Sequence, residues 1–556
     1  MRISRRLRSI SAAVAALALT TTLAACAGSA GTGPTAAATS DTPVAGGTLV
    51  YLEQQAHTNL YPPSGGFYPN GGVLNQITDK LTYQNPQTLA IEPWIAESWT
   101  SNAALTEYTF KIRPGVTFSD GTPLDAAAVA KNYDTYGLGN KELKQPVSEV
   151  INNYDHSEVI DPLTVKFVFK KSSPGFLQGT STIGSGLVSL ATLAKSYDEL
   201  GSATNIIGSG PFVVKNEVLG KEVDLSARSD YKWAPKNAAN QGRAYLDGIK
   251  IVVTAEDSVR IGSLLAGQGD LIRQVQAYDE DQVTAQNYQV HAAPTKGVND
   301  SIAFRPDNPL VSDVRVRQAL LKATDSAEIV STLFSENYPV AKSVVAQTAV
   351  GYVDLSAKLK ADPSESKKLL DAAGWTLGAD GVREKDGVKL SLTIYESLPQ
   401  PQNKQVLQLV AQQWAKVGVK LNILAGDAGS RTVDNLDPEK TPLTVAEVGR
   451  ADPDVLKSQF YPANRDALLQ KGGSSTKVKS FSDTTLNALL EAETSQTDLA
   501  QRLKDVADIQ NHLIDQALVI PIFEEPQVFA AAPYLKGLAF EAVGRPSLYG
   551  VWLEKK

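Results

Sequence analysis

Few side chains in this sequence are able to do chemistry, and they are scattered. There are four histidines, His57, His156, His291 and His512, one cysteine, Cys26, and one methionine, Met1. The histidines lie far apart and share no metal-ligand spacing. A single thiol excludes an intramolecular disulfide and any cysteine-rich zinc site. Asp155 stands next to His156 and makes an acid–base pair in composition, but neighbours on a loop seldom face one another, so the segment reads as a solvated turn. His512 falls inside an amphipathic pattern and reads as structural. There is no Gly-x-Ser-x-Gly elbow, no His-Glu-x-x-His and no EF-hand loop. Lys215 to Glu222 fails as a phosphate loop at both ends: a lysine replaces the first glycine, and Glu222 stands where a hydroxyl would hold Mg²⁺. Gly208-Ser209-Gly210 is too short for a dinucleotide fingerprint. The residues imply no cofactor, no metal and no catalytic set. They point to binding rather than catalysis.

Cys26 is the exception, because of its place. Arg2, Arg5, Arg6 and Arg8 precede an apolar run from Ile10 to Leu19 interrupted only by Ser11, and Leu23-Ala24-Ala25-Cys26 follows before the small Ala27. This order reads as a secretory signal peptide over residues 1–25. Leu-Ala-Ala-Cys resembles a bacterial lipobox, in which the thiol is diacylated and the chain is cut just before it. Two acyl chains hold a protein to a membrane stably where one does not. Residues 26–45, rich in Ala, Gly, Ser, Thr and Pro with no apolar period, read as a flexible tether. The expected location is the extracytoplasmic face of the cell membrane, or the periplasmic space where there is an outer membrane.

The composition agrees. The chain has 556 residues, 42% hydrophobic and 20% charged, enough for three or four domain-sized units of folded protein. Its 53 basic residues stand against 60 acidic ones, a net of -7. Losing residues 1–25 removes four arginines and no acid, which takes the net to -11. A broad basic surface is therefore not expected, and nucleic acid is excluded as the default partner. After cleavage no methionine remains and the one cysteine is the acylation site. Leu, Ile and Val replace Met in a core at small cost, so physics permits this without requiring it. Selection to spare sulfur is one cause, and it makes an organic sulfur compound, such as a thiol peptide or a sulfonate, a cargo to test.

The elements that must position a site read as α/β. Gly47 to Glu53 is a strand, and Tyr108 to Ile112 and Val165, Phe167 and Phe169 alternate with period two. Gly115 and Asp120-Gly121 are turn residues, and Pro123-Leu124-Asp125 starts a helix. Asp313 caps a helix through Val316, Ala319 and Leu320, and Asp325 caps the next. Asp362-Pro363 opens a helix that Gly374 closes. An Asp386-Gly387 turn enters a strand over 389–395, a helix over 403–417 follows, and 419–423 is a second strand. Such a βαβ unit has parallel strands and a right-handed crossover. Leu499, Leu503, Val506, Ile509 and Leu513 mark a long helix near the end.

Pro93-Trp94-Ile95-Ala96-Glu97-Ser98-Trp99, followed by Tyr108 to Leu124 (YTFKIRPGVTFSDGTPL), resembles the signature of the family 5 extracellular solute-binding proteins, the peptide/nickel-binding components of bacterial ABC importers. Further blocks follow in family order: Gly208 to Phe212, Asp313 to Leu320, Asp362 to Gly374, and Gln413 to Val419. The resemblance spans roughly residues 46 to 550. It implies a two-lobed periplasmic-binding-protein-like clamp with an extra subdomain and a ligand cleft between the lobes. Lobe I would comprise 46–85, 206–299 and 528–556, the subdomain 86–205, and lobe II 300–527. The implied function is capture of a small peptide-like or other amine- or acid-bearing solute. The implied partners are ABC permease and ATPase subunits, with the protein a lipid-anchored monomer. The alternatives are a sensor for a peptide signal on the same scaffold and a nickel or metal-chelate binding protein.

The resemblance also proposes site residues. Gly449-Arg450-Ala451-Asp452-Pro453-Asp454 resembles the family segment in which an aspartate takes the ligand's α-amino group, a role that falls on Asp452. The residue usual between that Asp and the Pro is missing here, and Gly449 replaces a frequent aromatic. Arg450 is free to grip a carboxylate, phosphonate or sulfonate, or to pair with Asp452 or Asp454. On lobe I, Tyr61 to Gly72 reads as a fixed loop rather than a helix, with Phe67, Tyr68 and Asn70 facing the cleft. His57 is a further cleft residue. In Phe523-Glu524-Glu525, where the chain turns back to lobe I, Phe523 and Glu524 are placed at the cleft.

Overall fold

Alternating apolar residues carry the first strand, Thr48–Glu53, into the middle of a sheet: Leu49 and Tyr51 enter one core and Leu52 the other, as period two requires. The computed structural model describes residues 42–397, 402–426, 431, 433–471 and 481–554. Cys26, the signal sequence and all but the end of the tether lie outside the described residues. The sheet has seven strands, in the order Gln289–Pro294, Pro526–Ala531, Leu271–Arg273, Thr48–Glu53, Gly248–Val253, Glu222–Ala227 and Phe212–Val218. Thr48–Glu53 is parallel to both of its neighbours, and the remaining pairs are antiparallel. Three separated stretches of chain thus build one lobe, and the last of them joins the sheet at Pro526.

A second antiparallel sheet covers this lobe's core. Its four strands are Ala96–Ser101, Glu107–Ile112, Thr164–Phe169 and Tyr154–Asp161, with the helix Ala126–Leu138 on one side. Tyr108, Phe110, Phe167 and Phe176 meet edge-on or tilted inside it. The core is continuous with that of the seven-stranded sheet.

The other lobe holds a three-stranded sheet, Leu443–Val448, Val298–Phe304 and Val519–Phe523, together with a parallel pair, Ser391–Tyr395 and Lys420–Leu424. The helix Asn403–Ala415 lies between the paired strands in sequence and buries Val406, Val410 and Trp414. Helix starts follow the sequence closely. Asp125, Asp313, Asp325 and Asp362 each accept a backbone N–H of the first turn, and Gly374 takes φ +86° beyond the helix Pro363–Ala372. Asp386 and Gly387 both have positive φ in the two-residue hairpin that precedes Val388–Lys389.

One reading is corrected. Tyr61 to Gly72 is not a loop throughout: a short 3₁₀ turn at Pro62–Ser64 is followed by the helix Tyr68–Ile77. Pro69 stands in its first turn, where a missing N–H costs nothing. Packing then overrides the low helix propensity of Gly71 and Gly72. No described helix is long and apolar enough to cross a membrane.

The chain passes between the lobes at two adjacent places: from Gln289–Pro294 into Val298–Phe304, and from Val519–Phe523 into Pro526–Ala531.

Candidate functional site

Beside these crossings is a cavity of about 490 Å³, within the range typical of small-molecule sites. The first lobe contributes Tyr68, Lys80, Trp94, Arg273 and Arg545, and the other lobe Glu447, Gly449, Arg450 and Arg465. Glu525, between the two strands of the second crossing, completes the wall.

Arg450 follows the end of the strand Leu443–Val448. It is only 5% exposed, and its Nε, Nη1 and Nη2 have no hydrogen-bond partner. The nearest acid, Asp454, lies 3.6 Å away. A buried guanidinium with unused donors is costly unless an acceptor reaches it. Its planar fork fits a carboxylate, phosphonate or sulfonate in two-point contact.

Asp452 does not line this cavity, and its assignment to a ligand amine is corrected. Its carboxylate accepts from Arg502 Nη2 at 2.9 Å and from the Asp454 backbone N–H at 2.9 Å. Arg502 also donates to Asp454 at 2.7 Å and, through Nε, to Glu493 at 2.8 Å. Burial pushes the Asp452 carboxyl up, but the Arg502 and Arg450 guanidiniums outweigh it and hold the group below the usual range. Glu493 is pushed up to about 8, by burial first and then by the Asp454 and Asp452 charges. Arg502 comes from the helix Leu499–Asp515, far along the sequence, so nothing local announced that Asp452 already has a cation.

Further corrections follow from burial. Asn70 is 1% exposed and turned inward, accepting from the Thr58 N–H and donating to the Ser64 carbonyl. Phe523 packs against Phe334 at 4.6 Å in the core. Glu524 faces Gln347, accepting its backbone and side-chain N–H at 3.0 and 2.9 Å. His57 lies 2.9 Å from Glu217, against a small recess apart from the cavity. His156 does face Asp155, at 2.9 Å, on the exposed strand Tyr154–Asp161.

Phe67, Tyr68, Gly449 and Arg450 do line the cavity. The Tyr68 ring is flanked by Arg545 at 4.6 Å and Arg273 at 5.6 Å, and its hydroxyl donates to the Val543 carbonyl. Arg545 is held by Glu541 at 3.0 Å and by the Gly66 carbonyl, and Arg273 by Glu53 and Gln527. Lys80 lies 5.5 Å over the Trp94 ring. Next to it Asp79 accepts from Tyr231 and Trp233, and burial pushes its carboxyl up to about 7.

The sequence reading missed Glu447, Arg273 and Arg545, and within Phe523-Glu524-Glu525 it is Glu525 that lines the cavity. Glu447 lies near the end of the strand Leu443–Val448, two positions before Gly449, and Glu525 is the immediate neighbour of Glu524, so both were within reach of the sequence. Arg545 carried no such signal.

Both lobes meet across the cavity rim. Arg465 of one donates to Glu149 of the other at 2.7 and 3.1 Å, and Ser458 donates to the same carboxylate at 3.2 Å.

Comparison with known proteins gives consistent matches. The model of the bacterial extracellular solute-binding proteins, family 5 Middle, matches residues 90–464. The glutathione-binding protein GsiB of Escherichia coli (strain K12) is 27% identical over 379 residues, covering 66% of this chain and 68% of that protein. Among solved structures, NikA from Brucella suis in complex with Fe(III)-EDTA superimposes with a TM-score of 0.75 at 23% identity, covering 91% of this chain and all of that one. The oligopeptide-binding protein AppA from Bacillus subtilis, in complex with a nonapeptide, gives 0.76 at 21% identity, covering 92% of this chain and all of that one. The fold is thus a two-lobed clamp of mixed α/β sheets.

Proposed function

The chain belongs to the bacterial extracellular solute-binding proteins of family 5, and from that premise we propose that it captures a small acid-bearing solute between its lobes and delivers it to the permease of an ABC importer. The observation that carries this is Arg450: a buried guanidinium on the cavity wall whose nitrogens make no hydrogen bond and whose ion pair with Asp454 is a loose 3.6 Å. A ligand carboxylate or sulfonate completes it. Glutathione, named in the relative GsiB, and Fe(III)-EDTA, bound in NikA, are both rich in carboxylates. Glutathione is also a thiol peptide, which agrees with the sulfur-poor composition and with an organic sulfur cargo.

Capture of this kind needs no bond making, and the reading is of a binding protein rather than an enzyme. The lobes proposed for it are close to 46–85, 206–299 and 528–556 with the subdomain 86–205, and 300–527, with the crossings between Pro294 and Val298 and between Phe523 and Pro526 moving the shared bounds by a few residues. A ligand touching both shifts an open–closed equilibrium toward closed. Cys26, diacylated, tethers a monomer to the membrane through residues 26–45. Calorimetric titration with glutathione tests the pocket: binding is expected, and Arg450→Gln is expected to weaken it by about 1.5–3 kcal/mol. Unchanged affinity in the variant counts against the reading. Membrane fractionation tests the anchor, since Cys26→Ser is expected to release the protein.

A further inference from the structure

Three carboxyl groups converge where the chain crosses between the lobes. Asp300 belongs to the strand Val298–Phe304 that receives the first crossing, Glu525 sits in the second, and Glu447 lies on the strand Leu443–Val448 paired with the first. An oxygen of each lies within 4.8 Å of an oxygen of the other two. Asp300 is 1% exposed, and its Oδ2 has no hydrogen-bond partner. Glu525 is hydrogen-bonded to Glu447. Arg273 acts on Glu525 and also donates to Glu53 and Gln527. Burial, with Glu447 adding repulsion, pushes the carboxyls of Asp300 and Glu525 well above the usual range. Glu447 and Glu525 line the same cavity as Arg450, whose guanidinium makes no hydrogen bond.

We propose that the Asp300–Glu447–Glu525 cluster is the subsite for a cationic group of the solute, an ammonium, so that the ligand is dipolar and lies with its amine at the crossings and its acid on Arg450. This rests on the reading that Arg450 takes the acid. An ammonium carries three donors, one for each carboxyl. A hard divalent ion fits less well: it needs six or more oxygens, and the three carboxyls bring one oxygen each within 4.8 Å of the others. Glu447 and Arg450 are three residues apart, so their Cα atoms are separated by no more than about 11 Å. That span fits the two charged ends of a di- or tripeptide. The cluster also gives a physical reason why Asp452 can be given over to Arg502: the amine is taken elsewhere. A ligand amine held there touches both crossings, so its binding is linked directly to the angle between the lobes.

The test is titration of the full soluble chain (Cys26→Ser) with dialanine, trialanine and glutathione, each beside its N-acetyl derivative, and with MnCl₂. The expected result is that at least one free amine binds about tenfold or more tightly than its acetylated form. In Glu447→Gln and in Glu525→Gln that preference falls to within about twofold, while Arg450→Gln keeps the amine preference and loses affinity for both forms. The acetyl comparison in the unsubstituted cluster needs no variant to fold. Equal binding of free and acetylated peptides overturns the amine subsite and leaves the acid subsite standing if Arg450→Gln still weakens both. Tight Mn²⁺ binding that is lost in Glu447→Gln overturns it in favour of a metal. If no peptide binds, the subsite and the reading beneath it both fall.

Discussion

Two arginines close in space to the same acids have opposite roles. Arg502 is saturated by Asp452, Asp454 and Glu493, whereas the guanidinium of Arg450, equally buried, makes no hydrogen bond and meets Asp454 at 3.6 Å. Removing Arg502 strands three acids in a low-dielectric interior, so Arg502→Met is expected to cost about 3–5 kcal/mol of stability. Arg450→Gln is expected to cost clearly less than Arg502→Met in the ligand-free protein, because Arg450 makes no hydrogen bond and its ion pair with Asp454 is loose. Urea unfolding of both variants distinguishes them, and equal losses contradict the assignment. Glu525 makes a pH prediction. Its folded-state carboxyl is raised above its unfolded value, so its favourable contribution is complete below about pH 4 and is lost as the pH rises through the folded value. Glu525→Gln is therefore expected to match the parent near pH 4 and to exceed it by on the order of 1 kcal/mol at pH 8. An advantage confined to acid pH contradicts this. Residue identity was partly legible: Arg450 stood out because a cation was unexpected there. Asp452 misled because its partner arrives from a distant helix, and charge pairing over such a separation leaves no local pattern.

Elements were the most readable level, since their causes are local. Aspartate caps, a proline in the first turn and a glycine beyond the last fixed the ends of Pro363–Ala372 within a residue or two. The helix Tyr68–Ile77 escaped because its glycines serve neighbours rather than the helix itself: a Cβ on Gly71 would lie 2.6 Å from the Gly65 carbonyl oxygen. Gly208 is a second case. Its short Gly-Ser-Gly run packs closely on a neighbour: a Cβ there would stand 1.9 Å from the Ile77 carbonyl oxygen, at the end of that same helix. Gly208→Ala is accordingly expected to shift this helix and destabilise the first lobe by about 2 kcal/mol or more, read as a lower melting temperature. No change would mean that the close approach is not needed for the fold.

At the scale of the molecule, function is the relation between two lobes joined by two crossings. That chain order was legible only through the resemblance, because no composition or periodicity reports that residues 48–53, 271–273 and 526–531 share one sheet. Closure has its own contacts. Besides Arg465–Glu149, a Cβ on Gly175 in the first lobe would come within 2.3 Å of Asp454 Oδ2 in the other. Gly175→Ala is expected to leave the stability of the ligand-free protein nearly unchanged while weakening capture several-fold, by opposing the closed form. An equal affinity would mean that the lobes do not close on that face. The claim on which all of this depends is that the cavity takes a small acid through Arg450. Native mass spectrometry measures it directly, on protein unfolded and refolded free of ligand, then exposed to the small-molecule fraction of yeast extract. The account predicts one adduct per chain, on the order of a few hundred daltons as suits such a cavity, carrying an acid group and absent in Arg450→Gln. A bare protein, or an adduct retained equally by the variant, would contradict it.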